Sequence, residues 1–392
     1  MLGRNVVVCC DGTANEFAED RTNVIKLCSV LDQDPEQQIS YYHPGVGTME
    51  PAGALTSFSR KLTKLLGMAV GYGLSNDIRD AYVFLMREYG QGDKLFLFGF
   101  SRGAYTVRAL ASLLHMYGLI RPGNEPLVPY AIRMMMGINR AEARNDKGAI
   151  DTYFQLAGEF KATMCSVECK PHFVGVWDTV SSVGWVENPL KLPFSANNPE
   201  IEVGRHAVAI DERRAFFRTN LWRRPGNPAA AYGPKDVKQV WFPGVHSDVG
   251  GGYAEAESGL SKIALDWMLQ EAKAAGLLVS DEKEKEVLGV SGTGGFVLPN
   301  PQADPHESLK GFWNVAEFIR KKHYNWQKGR EERRMNLYRR RTIPPGSLVH
   351  DSASQRGGDY QKRLPDQPTW VSTLPTSPVK PFVSAKSAAG AQ

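Results

Sequence analysis

The stretch Lys94–Gly103 reads KLFLFGFSRG, a compact apolar run followed at once by a Gly-x-Ser-x-Gly turn. A short run of large apolar residues bounded by glycine is typical of a buried strand. Residues 105–117, shortly after the turn, carry apolar side chains at the spacing of one helix face. Strand, tight glycine turn and helix in this order leave Ser101 exposed at the amino end of a helix, where backbone amides favour negative charge.

Short apolar runs alternate with helical patterns on both sides of this turn. The predicted strands are Asn5–Cys10, Gln38–His43, Lys94–Phe98, Phe173–Trp177 and Val237–Phe242. The predicted helices are Thr22–Leu31, Ser75–Tyr89, Tyr105–Tyr117, Arg205–Phe216 and Leu260–Ala275. This alternation predicts an α/β fold of the α/β-hydrolase type, in which a mostly parallel central sheet carries helices on both faces.

Two stretches interrupt the alternation and are predicted to form a cap over the site. Residues 50–73 are rich in Gly, Ser and Leu and resemble a loop or lid. Residues 122–170 are mostly helical and contain the run Met134–Met136, which suits core packing better than an adaptable binding surface. We therefore predict one α/β-hydrolase domain over residues 1–343 and a largely disordered tail, rich in Pro, Ser and Ala, over 344–392.

A serine hydroxyl is a weak nucleophile at neutral pH and needs a base within hydrogen-bond reach. In α/β-hydrolases the acid and then the histidine follow the nucleophile along the chain. Asp178 and His246 each end a predicted strand after Ser101, so they are the predicted acid and base. Asp248 remains an alternative acid. It lies two residues after His246, and residues two apart share a face in an extended segment. His350 is an alternative to His246 as the histidine.

The first predicted strand ends in Asp11-Gly12-Thr13. Backbone amides of Gly12 or Thr13, together with the amide of Arg102, are predicted to bind the oxyanion of the reaction. A purely structural turn formed by Asp11 is the alternative interpretation of the same residues. The Arg102 side chain would contact a phosphate or carboxylate of the substrate, or pair with an acid such as Asp11.

The composition is that of an ordinary globular protein, with 392 residues, 42% hydrophobic and 23% charged, and a net charge of +5. The five cysteines lack the spacing of a zinc site or a disulfide framework and are expected to be reduced. No metal or other cofactor is predicted, although a metal would use Asp11 and Asp248. Neither a signal peptide nor a membrane span is evident, so we expect a cytoplasmic protein, or export without a cleavable signal.

Positive charge is concentrated between Arg320 and Arg341, where ten Lys or Arg residues occur with Glu331 and Glu332 and with interleaved aromatic residues. The leading interpretation is a solvated helix with internal salt bridges. Basic residues beside aromatic ones also suit the surface of an anionic membrane, which is the second interpretation. Nucleic acid is not a predicted partner, because no recognised binding motif accompanies the arginines.

Four motifs resemble the successive signatures of an α/β-hydrolase family called domain of unknown function 2235. They are DGTAN at 11–15, GFSRGA at 99–104, VWDTV at 176–180 and WFPGVHSDVGG at 241–251. The resemblance spans roughly residues 5–365. That family includes phospholipase effectors delivered by bacterial type VI secretion, so the resemblance implies hydrolysis of phospholipid esters. It also implies Ser101 as nucleophile, Asp178 as acid and His246 as base, the roles already reached from chain order.

The predicted function is a serine hydrolase that cleaves carboxylic esters through a Ser-Asp-His triad and an acyl-enzyme, with a phospholipase as the favoured form. Its substrate would be a lipid or a small ester. One alternative is a soluble carboxylesterase that acts on a small metabolite, and another is an idle interaction module that keeps the fold. Dependence of activity on a lipid interface separates the first two, and an unreactive Ser101 would favour the third.

Overall fold

A computed structural model of the chain describes residues 3–12, 21–45, 61–180, 184–185, 188–189, 191–222, 233–292, 294–311, 313–325 and 328–373. The backbone alone is described for residues 61–72, 184–185, 188–189, 315–316 and 324. Thr13, residues 46–60 and residues 374–392 lie outside the described residues, so what the sequence predicts for them stays a prediction.

The strands of the described residues are β1 (Asn5–Cys10), β2 (Gln38–His43), β3 (Lys94–Phe100), β4 (Leu119–Ile120), β5 (Cys165–Val167), β6 (Pro171–Trp177), β7 (Gly184–Trp185), β8 (Asn188–Pro189), β9 (Val203–Ala209), β10 (Asp236–Phe242), β11 (Lys321–Asn325), β12 (Arg330–Arg334), β13 (Leu348–His350) and β14 (Thr369–Val371). The α-helices are α1 (Asn23–Val30), α2 (Lys61–Glu88), α3 (Arg102–Tyr117), α4 (Val128–Ala143), α5 (Lys147–Met164), α6 (His246–Gly250), α7 (Gly259–Ala274), α8 (Asp281–Val287), α9 (Trp313–Ala316) and α10 (Gly358–Gln361). Strands and helices alternate from β1 to α4, as the sequence predicts, whereas β5–β10 and α6–α9 follow as runs of one type.

Eight strands form one central sheet in the order β14-β13-β10-β9-β6-β3-β1-β2, and every strand pair in it is parallel. The chain runs from β1 to the edge strand β2, crosses back to β3 and then extends the sheet outward as far as β14. This reversal of direction leaves a crevice at the carboxyl ends of β1 and β3, where open α/β sheets bind ligands. The fold is the predicted α/β-hydrolase type.

Both faces of the central sheet are buried against helices, which explains why its inner strands are near-continuous apolar runs. On one face, Val6 and Leu97 pack with residues of α2, α3 and α4. On the opposite face, Val7 and Phe98 pack with residues of α1 and α7. Because successive side chains of a strand point to opposite faces, β1 and β3 each contribute to both cores.

The structure describes the two stretches that were predicted to form a cap, residues 50–73 and 122–170, to different extents. Residues 122–170 form α4 and α5, which both contact α3, and Met134 and Met135 lie in the core, so packing is the role of the methionine run. Residues 61–73 are not a loop, because α2 begins at Lys61 and continues through the helix predicted from Ser75. Residues 50–60 of the first stretch lie outside the described residues.

The predicted domain end at residue 343 is wrong. β13 pairs with β10 and β14 pairs with β13, so residues 344–373 complete one edge of the central sheet. Val349 and Tyr360 of this segment pack in a third small core with Val208 and Trp241. The proline and serine content that suggested disorder belongs here to the short connections between small elements.

Strand β9 replaces the helix predicted over Arg205–Phe216. Arg205 and His206 interrupt the apolar pattern of this strand, yet both are buried. Arg205 Nε donates to Glu271 of α7 at 2.5 Å, and His206 Nε2 accepts from the Thr179 amide at 3.1 Å. These partners are distant in sequence, so the local pattern does not indicate a strand.

The basic segment forms the antiparallel hairpin of β11 and β12 and an irregular stretch that ends at Arg341, not the predicted helix. Lys321, His323 and Arg341 are buried, whereas most other charged residues of the segment are exposed. Lys328 Nζ lies 2.8 Å from Glu332 Oε1. The segment therefore contains the predicted kind of salt bridge, but on a hairpin and not on a helix.

The five cysteines are all free, and Cys9, Cys10 and Cys169 are buried. Free, mostly buried thiols agree with the prediction of reduced cysteines. Within the part of the chain that the structure describes, no helix is long and apolar enough to cross a membrane.

Candidate active site

Ser101, at the centre of the predicted turn, joins β3 to α3 with an uncommon backbone conformation. Its φ of 58° and ψ of −116° lie outside the regions that residues other than glycine normally adopt. The Ser101 amide donates to the carbonyl of Trp177, at the end of β6, over 3.1 Å. A strained strand-to-helix turn that holds a serine above a helix N-terminus is typical of a nucleophile elbow.

Close backbone contacts explain the two glycines of the turn. A Cβ atom at Gly99 would lie 2.5 Å from the carbonyl oxygen of Gly103, and one at Gly103 would lie 2.1 Å from the carbonyl oxygen of Cys10. Real Cβ atoms do not approach backbone atoms so closely. The first turn of α3 can therefore pack against the end of β1 only because residue 103 has no side chain.

His246 lies beside this turn and is hydrogen-bonded to Asp178. His246 is the first residue of α6, shortly after β10, and Asp178 directly follows β6. His246 Nδ1 lies 2.6 Å from Asp178 Oδ2, and both side chains are buried. The ring of Phe100, the residue before Ser101, lies 4.6 Å from the His246 ring, centroid to centroid. The fold thus brings the three predicted residues to the carboxyl ends of β3, β6 and β10.

Asp178 is held on every side. Its Oδ1 accepts hydrogen bonds from the Ala209 amide (3.0 Å) and from Arg341 Nη1 (2.6 Å), and its Oδ2 accepts one from Arg341 Nη2 (3.0 Å). Burial raises the pKa of the Asp178 carboxyl, but the charge of Arg341 and the hydrogen bond of His246 together outweigh burial and hold that pKa well below its ordinary value. The carboxylate is therefore ionised near neutral pH.

Arg341 is a site residue that the sequence analysis did not identify. It lies 163 positions from Asp178, inside the run Arg339-Arg340-Arg341, which looks like surface charge. A buried aspartate at the end of a strand does require a cation or several donors, and this is the signal available in the sequence. That signal does not indicate which of many arginines supplies the charge.

A second carboxylate, Glu212, also lies close to His246. Glu212 Oε2 accepts from the His246 backbone amide at 3.2 Å, and the two Glu212 oxygens pair with Arg214 at 3.0 and 2.8 Å. Burial raises the pKa of Glu212, but Arg214 outweighs it and lowers this pKa to about 2. Phe217 covers another side, with its ring 4.8 Å from the His246 ring and 3.5 Å from the Arg214 guanidinium carbon.

The protonation state of His246 follows from these neighbours. Burial lowers the pKa of His246 below its ordinary value, while the hydrogen bond and charge of Asp178 oppose that effect. The imidazole is therefore neutral near pH 7 and able to accept a proton. With Nδ1–H directed to Asp178, the nitrogen left as the acceptor is Nε2.

Asp248, the alternative acid, has a different partner. Its Oδ1 lies 2.6 Å from His306 Nδ1, and its Oδ2 accepts from the Val245 amide at 2.9 Å. The aspartate that is hydrogen-bonded to His246 is Asp178. Asp248 instead fixes the loop that carries His306 to the start of α6.

His350, the alternative histidine, lies at the end of β13 near the edge of the sheet. Its Nδ1 is 2.9 Å from the Ser352 hydroxyl and its Nε2 is 2.7 Å from the Thr373 hydroxyl. Its ring stacks on Phe242 at 4.8 Å between centroids. These contacts fit a structural role.

The predicted oxyanion donors near β1 are described in part. The Gly12 amide donates to Asp11 Oδ1 at 2.6 Å, and Asp11 Oδ2 accepts from the hydroxyls of Thr22 (2.5 Å) and Tyr42 (3.1 Å). These hydrogen bonds support a structural turn at Asp11. The oxyanion role of Gly12 stays a prediction, as does that of Thr13, which lies outside the described residues.

Arg102 begins α3 directly after the nucleophile. Burial lowers the pKa of Arg102, and the charge of Asp77, on α2, opposes this. Burial raises the pKa of Asp77 to about 7, although Arg102 acts in the opposite direction. Asp77 is therefore an acid that faces Arg102 and that the sequence analysis did not name.

No three His, Cys, Asp or Glu side chains are arranged to hold a metal ion among the residues whose side chains the structure describes. The two residues named above for a metal, Asp11 and Asp248, have separate partners, the hydroxyl of Thr22 and the imidazole of His306.

Residues 4–271 match a family model described as the catalytic domain of Tle1-like phospholipase effectors of the type VI secretion system. The chain belongs to this family. The matched residues include Ser101, Asp178 and His246 and end before Arg341. Membership in this family agrees with the resemblance that the motifs indicate.

Three further proteins are similar to the chain. An uncharacterised protein of Saccharomyces cerevisiae is 36% identical over 224 residues, which cover 55% of this chain and 32% of that protein. The crystal structure of an uncharacterised protein from Pseudomonas aeruginosa aligns with 21% identity and a TM-score of 0.41, over 72% of this chain and 47% of that one. The Tle1 effector bound to the VgrG spike of the type 6 secretion system aligns with 17% identity and a TM-score of 0.37, over 66% and 53%. The chain thus spans from about a third to about half of these proteins.

Proposed function

We propose that this chain is a serine hydrolase that cleaves carboxylic esters of phospholipids, with Ser101 as nucleophile, His246 as base and Asp178 as acid. The observation that carries the proposal is the 2.6 Å hydrogen bond between His246 and Asp178 beside the strained Ser101 turn. Membership in a family of phospholipase-effector catalytic domains supports a lipid ester as the substrate.

The reaction has two halves that use the same base. His246 Nε2 takes the hydroxyl proton of Ser101 while Oγ attacks the ester carbonyl, and it then gives that proton to the departing alcohol. The product of this half is an acyl ester on Ser101. In the second half His246 takes a proton from water while the water oxygen attacks the acyl carbon. The bond from that carbon to Ser101 Oγ then breaks, His246 gives the proton to Oγ, and the carboxylic acid leaves. Asp178 stabilises the imidazolium formed each time.

Donors must meet the negative charge that develops on the carbonyl oxygen. The Arg102 amide supplies one, because it follows the nucleophile at the positive end of the α3 dipole. A second would come from the Gly12 amide, since α3 packs against the end of β1 at Gly103. The Gly12 amide would exchange its hydrogen bond with Asp11 for one with the substrate.

An exposed apolar edge of the molecule fits contact with a lipid surface. Phe318, Leu337 and Tyr338 are 53%, 44% and 41% exposed, and the rings of Phe318 and Tyr338 lie 6.0 Å apart. Leu337 and Tyr338 both have positive φ, at 50° and 61°, so the turn that presents them is strained. The exposed Arg339 and Arg340 follow directly. Apolar and basic side chains together suit an anionic membrane.

Glu317 connects this edge to the walls of the catalytic site. Its Oε2 accepts from the Tyr338 amide at 2.9 Å, and its Oε1 accepts from the Ala215 amide at 2.6 Å. Trp313, four residues before Glu317, contacts Phe217 with the ring centroids 5.3 Å apart. Phe217 also contacts His246. The segment from Trp313 to Glu317 therefore contacts both the proposed lipid-facing edge and a residue that packs on His246.

Fatty-acid release from vesicles that contain phosphatidylglycerol tests the proposal. The wild type should release fatty acid and Ser101→Ala should release none. Changing Leu337→Asp should reduce release at least roughly tenfold, because it removes apolar contact with the bilayer, while hydrolysis of a soluble short-chain ester stays unchanged. Leu298→Asp is the matched control, since Leu298 is 53% exposed on a different loop.

Each other outcome has a defined meaning. Hydrolysis of the soluble ester without any vesicle activity would replace the phospholipase proposal with a soluble carboxylesterase. Failure to hydrolyse either substrate, by a folded sample, would favour an interaction module that keeps the fold.

A further inference from the structure

The Arg341 side chain is only 3% exposed, and all three of its guanidinium nitrogens donate hydrogen bonds. Nη1 donates to Asp178 Oδ1 (2.6 Å) and to the Ala209 carbonyl (3.0 Å). Nη2 donates to Asp178 Oδ2 (3.0 Å) and to the Phe217 carbonyl, and Nε also donates to the Phe217 carbonyl (3.1 Å). A planar guanidinium that donates to both oxygens of a carboxylate fixes the position and the plane of that carboxylate.

This arrangement sets the direction in which Asp178 faces His246. Asp178 Oδ2 is shared between Arg341 Nη2 and His246 Nδ1, and Oδ1 is taken by Arg341 Nη1 and the Ala209 amide. The carboxylate cannot rotate without breaking two charge-assisted hydrogen bonds. The imidazole therefore meets one oxygen at a fixed angle, which keeps its Nε2 directed away from Asp178.

Arg341 also balances the charge around the imidazole. Among the described residues, the charged groups that act on the pKa of His246 are Asp178, Arg214 and Glu212, and Arg341 forms two hydrogen bonds with the Asp178 carboxylate. Two carboxylates and two guanidiniums leave the surroundings close to neutral. Another histidine near Asp178, His206, is itself neutral near pH 7, because burial lowers its pKa to about 3. Without Arg341, Asp178 would favour the imidazolium far more strongly.

We propose that Arg341 is a positioning residue of the catalytic centre, which aims the Asp178 carboxylate at His246 and keeps the imidazole uncharged near neutral pH. The role rests on the proposed function of the Ser101, His246 and Asp178 set. It also makes the segment beyond residue 271, where the family match ends, a contributor to catalysis.

The test compares Arg341→Lys and Arg341→Met with the wild type. Lysine keeps the positive charge and loses the planar fork, whereas methionine loses both. Two quantities are measured on the full chain: the titration midpoint of His246 by NMR of ¹⁵N-labelled histidine, assigned with His246→Gln, and the pH profile of kcat/KM on a soluble short-chain ester.

In Arg341→Met the His246 midpoint and the acidic limb of kcat/KM should both move to higher pH. In Arg341→Lys the midpoint should stay close to the wild type, while kcat falls roughly tenfold with KM unchanged, because Asp178 is less well oriented. Arg144→Met removes the same charge at an exposed position directly after α4 and should change neither quantity.

A wild-type His246 midpoint in folded Arg341→Met would overturn the charge-balancing role, and a wild-type kcat in Arg341→Lys would overturn the orienting role. If Arg341→Met does not fold, Arg341→Gln, which also removes the charge, replaces it in the titration, and Arg341→Lys still decides the orienting role. The NMR titration needs no turnover, so it reports on Arg341 even if the wild type hydrolyses no ester and the proposed function fails.

Discussion

Ser101 and Asp178 both hold backbone angles that residues other than glycine seldom adopt, with φ of 58° and 38°. Each such residue costs on the order of 1–3 kcal/mol and persists only where the surrounding contacts enforce it. Here the Trp177 carbonyl fixes Ser101, and the Arg341 fork fixes Asp178. Strain at two of the three residues assigned to the reaction supports a functional role for the site.

Asp178→Asn should lower kcat on a soluble ester by on the order of 10⁴-fold with little change in KM. A neutral amide neither stabilises the imidazolium nor holds its productive tautomer. Steady-state kinetics at a pH above the acidic limb measure the effect.

Asp248→Asn is the matched control, because it makes the same change at a buried aspartate that is bonded to His306. Its kcat should stay close to that of the wild type. A large loss in Asp248→Asn together with a small one in Asp178→Asn would make Asp248 the acid.

Residues with a local signature were predictable from the sequence, and residues defined by distant partners were not. Ser101 lies in a turn whose neighbours are themselves diagnostic, and His246 and Asp178, which chain order predicts as a pair, are hydrogen-bonded to each other. The roles of the three residues stay predictions. Arg341 and Glu212 acquire their places only when the chain folds. Thr13 stays untested.

At the scale of elements, the junction of β3, α3 and β1 leaves no room for a side chain at Gly103. Gly103→Ala should lower the free energy of unfolding by more than about 3 kcal/mol, since its Cβ would lie 2.1 Å from the Cys10 carbonyl oxygen. Urea denaturation measures this.

Gly158→Ala provides the comparison, because nothing lies within 4 Å of a Cβ atom at this position on α5. It should leave stability unchanged or raise it by up to about 1 kcal/mol, as alanine favours helix. Similar losses in both variants would mean that the close contact at Gly103 is not what matters.

The loop that carries His306 is attached to α6 by a contact that depends on pH. Burial lowers the pKa of His306, but its hydrogen bonds to Asp248 and Glu257 outweigh burial and raise it above the ordinary value. The stability that this charge contributes is present below about pH 6.5 and is lost as pH rises through the folded-state pKa. His306→Gln should therefore lower Tm more at about pH 6 than at about pH 9. Equal losses at both pH values would contradict this.

Strands with a run of buried apolar residues were also predictable from the sequence, and strands whose pattern is interrupted or dominated by charged residues were not. β1, β3 and β6 are buried along nearly their whole length, and β10 is buried at its carboxyl end; all four look like strands in the sequence. β9 contains Arg205 and His206, whose buried partners are remote, and it was predicted as a helix. The hairpin of β11 and β12 was predicted as a helix, because its mostly charged residues lack the alternation of apolar and polar side chains that indicates a strand.

At the scale of the whole molecule, the central sheet brings Ser101, Asp178 and His246 to the carboxyl ends of strands that are far apart in sequence. Its continuation through β13 and β14 shows that residues 344–373 belong to the folded domain. Tyr360 donates to Asp211 at 2.6 Å and Arg363 donates to the same carboxylate at 2.8 Å, which ties this segment to the loop after β9.

A chain that ends at residue 343 should lose cooperative unfolding, because it exposes the edge of β10 and the third core, although it keeps Arg341. A chain that ends at residue 373 retains every described contact and should melt close to the full chain. Thermal melts followed by circular dichroism distinguish the two. A cooperative transition of the shorter chain near the wild-type Tm would show that the edge strands are dispensable.

The most direct test of the central claim is labelling with a fluorophosphonate probe, located by peptide mass, in the wild type, Ser101→Ala and His246→Ala. We predict one label, on Ser101, in the wild type and none in either variant, because only a serine activated by His246 reacts. Absence of label from a folded wild type, or label that persists in His246→Ala, would contradict a Ser101 nucleophile activated by the His246–Asp178 pair.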